Sequence, residues 1–204
     1  EGLLDLTSQI NYYDFEVQAD YVDLNKINLI ERDSVSILKG NIKFQGGGNT
    51  LDEIEGELNF SNASYQNERD IYFFEDFNVT SEFDNEKVRT IKINSPDIIE
   101  GNVTGRFSYL ELPMIFENAL GSLYTNYSPH QIKEKQFLRF NFSVYNKIVE
   151  VFFPQISFGN NTFLRGNINH DEEVFKLDFA TPTLEIGENT VHRIDLQVDT
   201  KNPL

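Results

Sequence analysis

"RTIKINSPDIIEGNVTGRFSYLEL", residues 89–112, alternates in polarity almost without a break. Ile91, Ile93, Ile99, Val103, Phe107 and Tyr109 occupy odd positions, whereas Lys92, Asn94, Glu100, Asn102, Thr104, Arg106 and Ser108 occupy even ones. A β-strand sends successive side chains to opposite faces, so this period of two predicts strand, a turn at Ser95-Pro96-Asp97, and strand again. No nucleophile, metal cluster or phosphate loop accompanies the apolar face. The functional question is what covers it.

The same alternation recurs along the chain. "LDLTSQI" sets Leu4, Leu6 and Ile10 against Asp5, Thr7 and Gln9, and "FEVQADYV" aligns Phe15, Val17, Ala19 and Tyr21. "EIEGELNFS" places Ile54, Leu58 and Phe60 opposite Glu53, Glu55, Glu57 and Asn59. "DIYFFEDFNVTSEF" carries Phe73, Phe77, Val79 and Phe83 on one parity, with Tyr72 and Phe74 blurring the face. Later come Leu138, Phe140, Phe142 and Val144, then Val149, Val151 and Phe153, then Phe175, Leu177 and Phe179, and finally Ile194, Leu196 and Val198. One-faced strands separated by Asn/Asp/Gly turns such as "FDNEK" and "FGNN" predict a mainly β chain with antiparallel sheet.

Two stretches break the period. "LELPMIFENALGSLY" (110–124) spaces Leu112, Ile115, Phe116, Ala119 and Leu120 for a helix, with Pro113 in its first turn and Gly121 as its stop. "YVDLNKINLIERDSV" (21–35) reads as a short helix or helical turn. The helix at 110–121 then divides the chain into two sheet units, 1–109 and 122–204. Glycine forms a weak repeat in "LKGNIKF", "IEGELNF", "IEGNVTGRF" and "LRGNINH". Glycine inside a strand marks a bulge, a bend or a close backbone approach, so its recurrence predicts a sheet that curls at equivalent places.

Seventeen basic against 33 acidic residues give a net charge of −16. No basic stripe is present, which argues against nucleic acid and against docking on anionic headgroups through Lys/Arg clusters. Cysteine is absent, which removes thiolate catalysis and Cys-ligated metals. No apolar run approaches the roughly 20 residues that span a bilayer. A start at Glu1 rather than Met reads as a piece of something longer.

Catalytic signatures are equally sparse. His130, His170 and His192 sit far apart in sequence and outside any metal-binding spacing. Asp84/Glu86 and Asp171/Glu172/Glu173 lack the spaced oxygen pattern of a calcium loop and read as solvated turns. Glu53, Glu55 and Glu57 stand on the polar side of one strand. The Asn-x-Ser/Thr triplets at Asn59, Asn62, Asn78, Asn102 and Asn141 are what an Asn-rich chain produces by chance. The expectation is a non-enzymatic protein without a cofactor. Its apolar strand face has two explanations: a β-sandwich in which two such faces cover each other, or an open trough holding acyl chains or an unfolded strand.

"EVQADYVDLNKINL", "LKGNIKFQGGGNTLDEIEGELNFSNASYQN", "RTIKINSPDIIEGNVTGRFSYLEL", "GSLYTNYSP" and "VEVFFPQISFGNNTFLRGNI" together resemble the TamB branch of the AsmA-like proteins in its Bacteroidetes form. The resemblance implies a curved antiparallel sheet forming a β-taco, or repeating β-groove, with an apolar interior and one or two short helices. It further implies an internal segment of a periplasmic chain anchored in the inner membrane. Such a chain carries phospholipid toward the outer membrane and supports outer-membrane protein assembly with an Omp85-type partner. Carried onto this sequence, the groove lining is Ile54, Leu58, Phe60, Phe73, Phe77, Ile91, Ile93, Val103, Phe107, Phe140, Phe142, Val151, Phe153, Phe175, Leu177 and Phe179. The rival expectation is a cell-surface adhesin or glycan-binding sandwich, and a third is a chaperone-like groove for unfolded outer-membrane strands.

Overall fold

Residues 89–112 fold as two neighbouring strands and the start of a helix in the computed structural model, which describes residues 1–27, 33–124, 126–153 and 155–201. Thirteen strands are present among the described residues: β1 (Gly2–Asp5), β2 (Tyr12–Asp23), β3 (Ile37–Gly47), β4 (Glu55–Gln66), β5 (Ile71–Phe73), β6 (Phe77–Phe83), β7 (Arg89–Asn94), β8 (Ile99–Arg106), β9 (Phe137–Val144), β10 (Ile156–Phe158), β11 (Thr162–Asn169), β12 (Val174–Ile186) and β13 (Asn189–Asp199). They make one antiparallel sheet in the order β1-β2-β3-β4-β6-β7-β8-β9-β11-β12-β13, with β5 extending the β6 side of β4 and β10 the β11 side of β12. Because sequence neighbours pair almost throughout, short turns suffice as connections. The protein is an open, curved sheet rather than a sandwich, for no second sheet faces it among the described residues.

Register turns the alternation into continuous rows. Directly opposite residues share a face, and one row reads Phe15, Phe44, Leu58, Val79, Ile93, Gly101, Phe142, Leu164, Phe179 and Leu196 across ten strands. One residue along each strand, the other face reads Asp14, Gln45, Glu57, Thr80, Lys92, Asn102, Asn141, Arg165, Asp178 and Gln197. The asparagines find their use on that polar face. Asn78 Nδ2 donates to Glu57 at 2.6 Å and to Asn59 at 2.8 Å, and Arg165 Nε donates to Asn141 Oδ1 at 2.9 Å.

The glycine repeat has a steric cause. On the apolar face, a Cβ at Gly56 would lie 2.3 Å from the Gln45 carbonyl, and one at Gly101 2.0 Å from the Asn141 carbonyl. At Gly166 it would sit 2.1 Å from the Phe140 ring, which lies over the glycine. Adjacent strands approach this closely on the inner side of a bend. Curvature is also visible at the far ends of the strands, where Tyr72 of β5 and Ser157 of β10 border one cavity of about 530 Å³. Four strand spacings separate those columns, roughly 19 Å if the sheet were flat.

Bulges reverse parity in two strands. In β4 the register slips beside Asn62, which takes φ 52° in the left-handed region. Phe60 and Tyr65 consequently face the same way, and so does Tyr72, the partner of Tyr65. Phe73, expected in the groove, pairs with Ser64 on the polar face and is 70% exposed. A matching slip between Ala19 and Val22 in β2 turns Val22 inward and leaves Tyr21 exposed. Asn62→Val puts a β-branched residue where φ is positive, so it should cost about 1–2 kcal/mol, whereas Asn62→Gly should cost next to nothing. Urea unfolding midpoints of the two variants check this.

Two α-helices complete the described residues. α1 (Leu112–Gly121) begins with Pro113 in its first turn and lies on the apolar face, burying Ile115 and Ala119 against Phe107, Leu138, Phe140, Ile168 and Phe175. It does not divide the sheet: β8 and β9, on either side of it, pair directly, so hydrogen bonding runs unbroken from the 1–109 segment into the 122–204 segment. α2 (Asn146–Phe152) replaces the strand expected from Val149, Val151 and Phe153. A short apolar run has no period long enough to separate helix from strand, and here Val151 packs with Leu24 and Tyr65 at the bulged ends of β2–β4. Phe153, past the helix end, is 61% exposed. Of the helical turn expected over 21–35, residues 28–32 lie outside the described residues; Tyr21–Asp23 close β2 and 24–27 form a turn.

Candidate functional site

The inner side of the curved sheet is a trough with an apolar floor, partly roofed by α1. Beside the helix lies a cavity of about 340 Å³ lined by apolar side chains alone, among them Ile91, Val103, Phe116, Leu120, Phe142 and Leu164. That volume is at the lower end of ordinary ligand pockets. Phe116 and Leu120 project from the helix and are 38% and 52% exposed, so the roof itself presents apolar surface to the open side of the trough. Beyond the helix the floor continues toward β2, where Phe15 and Val17 are 37% and 47% exposed, and toward β13, where Leu196 is 49% exposed.

The structure brings together most of the residues expected to line this groove. Leu58, Phe60, Phe77, Ile91, Ile93, Val103, Phe140, Phe142, Leu177 and Phe179 share the inward face, with Ile54 continuing the β4 parity and Phe107 the β8 parity. Phe60 and Phe77 stack with ring centroids 4.5 Å apart, and Phe140 and Phe142 at 6.3 Å. Phe107, Phe140 and Phe175 are buried beneath α1 rather than open to the trough. Val151 belongs to the cluster around Tyr65, while Phe73 and Phe153 stand outside. Phe15, Val79 and Leu196, apolar by their own alternation but absent from the expected lining, join the floor with Phe44 and Leu164 through cross-strand register.

Among the described residues, one charged side chain is buried on the inward face. Arg89 occupies the odd parity of β7 and is 2% exposed. Its guanidinium lies 4.4 Å from the Tyr109 ring centre, 4.6 Å from Phe83 and 5.6 Å from Phe107. Nη2 donates to the Asp52 carbonyl, but Nε and Nη1 are buried without a hydrogen-bond partner. Burying an uncompensated cation costs several kcal/mol, and a desolvated ring returns about 2 kcal/mol or more, which leaves the two unpaired N–H groups still to be satisfied. The signal for it lay in the sequence, where Arg89 shares the odd parity of Ile91 and Ile93, while the other charged odd positions of the stretch, Asp97 and Glu111, fall outside its strands.

Asp52 sits next to this cation, on the turn Leu51–Glu53, and accepts the Tyr109 N–H at 2.8 Å. Burial raises its carboxyl, but hydrogen bonds from Ser108 and Tyr109 and the fields of Lys133 and Arg89 outweigh it, leaving the group below the usual 3.8. A depressed folded-state value stabilises the fold above pH 3.8 and is lost as pH falls through it. Asp52→Asn should therefore lower stability at pH 7 and flatten the acid limb of the stability–pH curve below about pH 4, as measured by denaturant titration at stepped pH.

Among the described residues there is no cluster of three or more His, Cys, Asp or Glu placed to hold a metal ion, and no helix long and apolar enough to cross a membrane. His130 Nε2 lies 2.9 Å from Glu117. No protein-family model matches this chain, nor does any curated protein or solved structure.

Proposed function

We propose that this chain is a segment of a lipid-carrying envelope protein of the TamB/AsmA-like kind, acting in the bacterial periplasm as a passive trough for phospholipid acyl chains. The observation that carries the reading is the apolar row across ten strands, backed by a polar row and, among the described residues, left without a covering sheet. Large apolar patches of this kind on a monomer mark a binding surface. Acyl chains slide along the floor, and no covalent step is needed. The polar outer face keeps the shaft hydrated, and a net charge of −16 suppresses self-association. An inner-membrane anchor elsewhere in a longer chain and an Omp85-type outer-membrane partner belong to the same proposal. Native mass spectrometry of the purified chain tests it: phospholipid adducts are expected, and a clean apo mass after gentle extraction from bacterial envelopes would rule the trough out.

A further inference from the structure

The cavity around Arg89 is built differently from the rest of the trough. It measures about 910 Å³ and is walled by Phe83, Phe107, Lys87, Arg89 and Arg106, together with Asp52 and Glu55. In a chain with almost two acidic residues for each basic one, three cations meet here. The facing carboxylates already have partners: Asp52 accepts the Tyr109 N–H, and Glu55 accepts the Phe83 N–H at 2.7 Å. Glu53 also lines the wall, so formal charges balance and the two unpaired guanidinium nitrogens are the groups left over. Phe107 is shared between this cavity and the wholly apolar one beside α1, which places a tail site and a charged site back to back.

From this juxtaposition we infer that Arg89 receives the anionic headgroup of an amphiphile, a phosphate or phosphodiester, whose tail lies in the apolar cavity beside α1. Nε and Nη1 are both unpaired and lie on different edges of the guanidinium, so each offers its own charge-assisted hydrogen bond to an oxygen of such a group. The surrounding rings hold the cation in place before the anion arrives. Phe83 and Tyr109 are half-buried, and one of them turns aside to admit the ligand. The inference rests on the trough reading above and adds headgroup selectivity to it.

Four probes separate the possibilities in calorimetric titrations of the whole chain, below micelle-forming concentrations: dodecyl phosphate, dodecyl maltoside, dodecyltrimethylammonium and inorganic phosphate. Dodecyl phosphate should bind about tenfold or more tighter than dodecyl maltoside, as befits charge-assisted hydrogen bonds. Arg89→Met should bring the two within about twofold while leaving the maltoside affinity unchanged, because only the charged contact is lost. Equal affinities in the native chain, or a preference that survives Arg89→Met, would overturn the headgroup assignment and leave the trough standing. Binding of none of the three amphiphiles would sink the trough as well. Inorganic phosphate binding as tightly as dodecyl phosphate would overturn the amphiphile and assign the free ion. Should Arg89→Met fail to fold, the Arg89 Nε–H resonance of the native chain decides: it must move with dodecyl phosphate and not with the maltoside, and a stationary signal refutes the contact.

Discussion

Phe142→Asp is expected to empty the trough while leaving the sheet folded. Phe142 is half-buried, stacks on Phe140 and borders the apolar cavity beside α1. Its loss removes a fraction of one aromatic burial, about 1–2 kcal/mol, and the new carboxylate can reach water along the open side. A charge in a wall otherwise free of polar atoms makes the cavity hostile to an acyl chain. Phospholipid adducts in native mass spectra should fall at least about tenfold, with the β-sheet circular dichroism signal unchanged. Full lipid loading in a folded Phe142→Asp chain would count against the trough. Phe107→Asp is not a substitute test: Phe107 is 8% exposed, packed under Ile115 and Leu138, and its replacement costs about 3–5 kcal/mol of the core itself.

Gly101→Val should strongly destabilise the trough floor. Gly101 takes φ 152°, where a side chain is strained, and a Cβ there would meet the Asn141 carbonyl at 2.0 Å and the Phe142 ring at 2.7 Å. Backbone, unlike a flexible side-chain tip, cannot yield without breaking the β8–β9 ladder that joins the two halves of the sheet. Strain and overpacking together amount to about 3 kcal/mol or more. For a chain of this size that lowers Tm by roughly 6–12 °C, readable by scanning calorimetry. A matched change on the polar face, Asn102→Val, should shift Tm by no more than a degree or two, about 0.5 kcal/mol. An unchanged Tm in Gly101→Val would mean that the close strand approach does not hold the curvature.

Several features of this protein are legible in its amino-acid order alone. The odd parity of Ile91, Ile93, Val103 and Phe107 defines the inward face, and Pro113 with Gly121 brackets α1. The glycines at 40, 56 and 101, marked by their repeat, all take φ near 150°. Other features are hidden because they depend on which strands become neighbours. Phe73 obeys its local alternation, yet the slip beside Asn62 hands its face to Tyr72. Val149 and Val151 alternate like a strand and become helical because α2 packs against the bulged ends of β2–β4, far away in sequence. Arg89 stands in plain view on the apolar parity, but nothing local tells that three rings, from Phe83, Phe107 and Tyr109, close around it.

A two-faced antiparallel sheet follows directly from the order of residues, since side-chain direction in a strand is a property of the backbone repeat and needs no partner. Whether the apolar face is shut in a sandwich or left open along a trough depends instead on how the strands pack in three dimensions. Both arrangements satisfy the same alternation. They differ in curvature, which arises where glycines on adjacent strands let two backbones approach more closely than any side chain would permit.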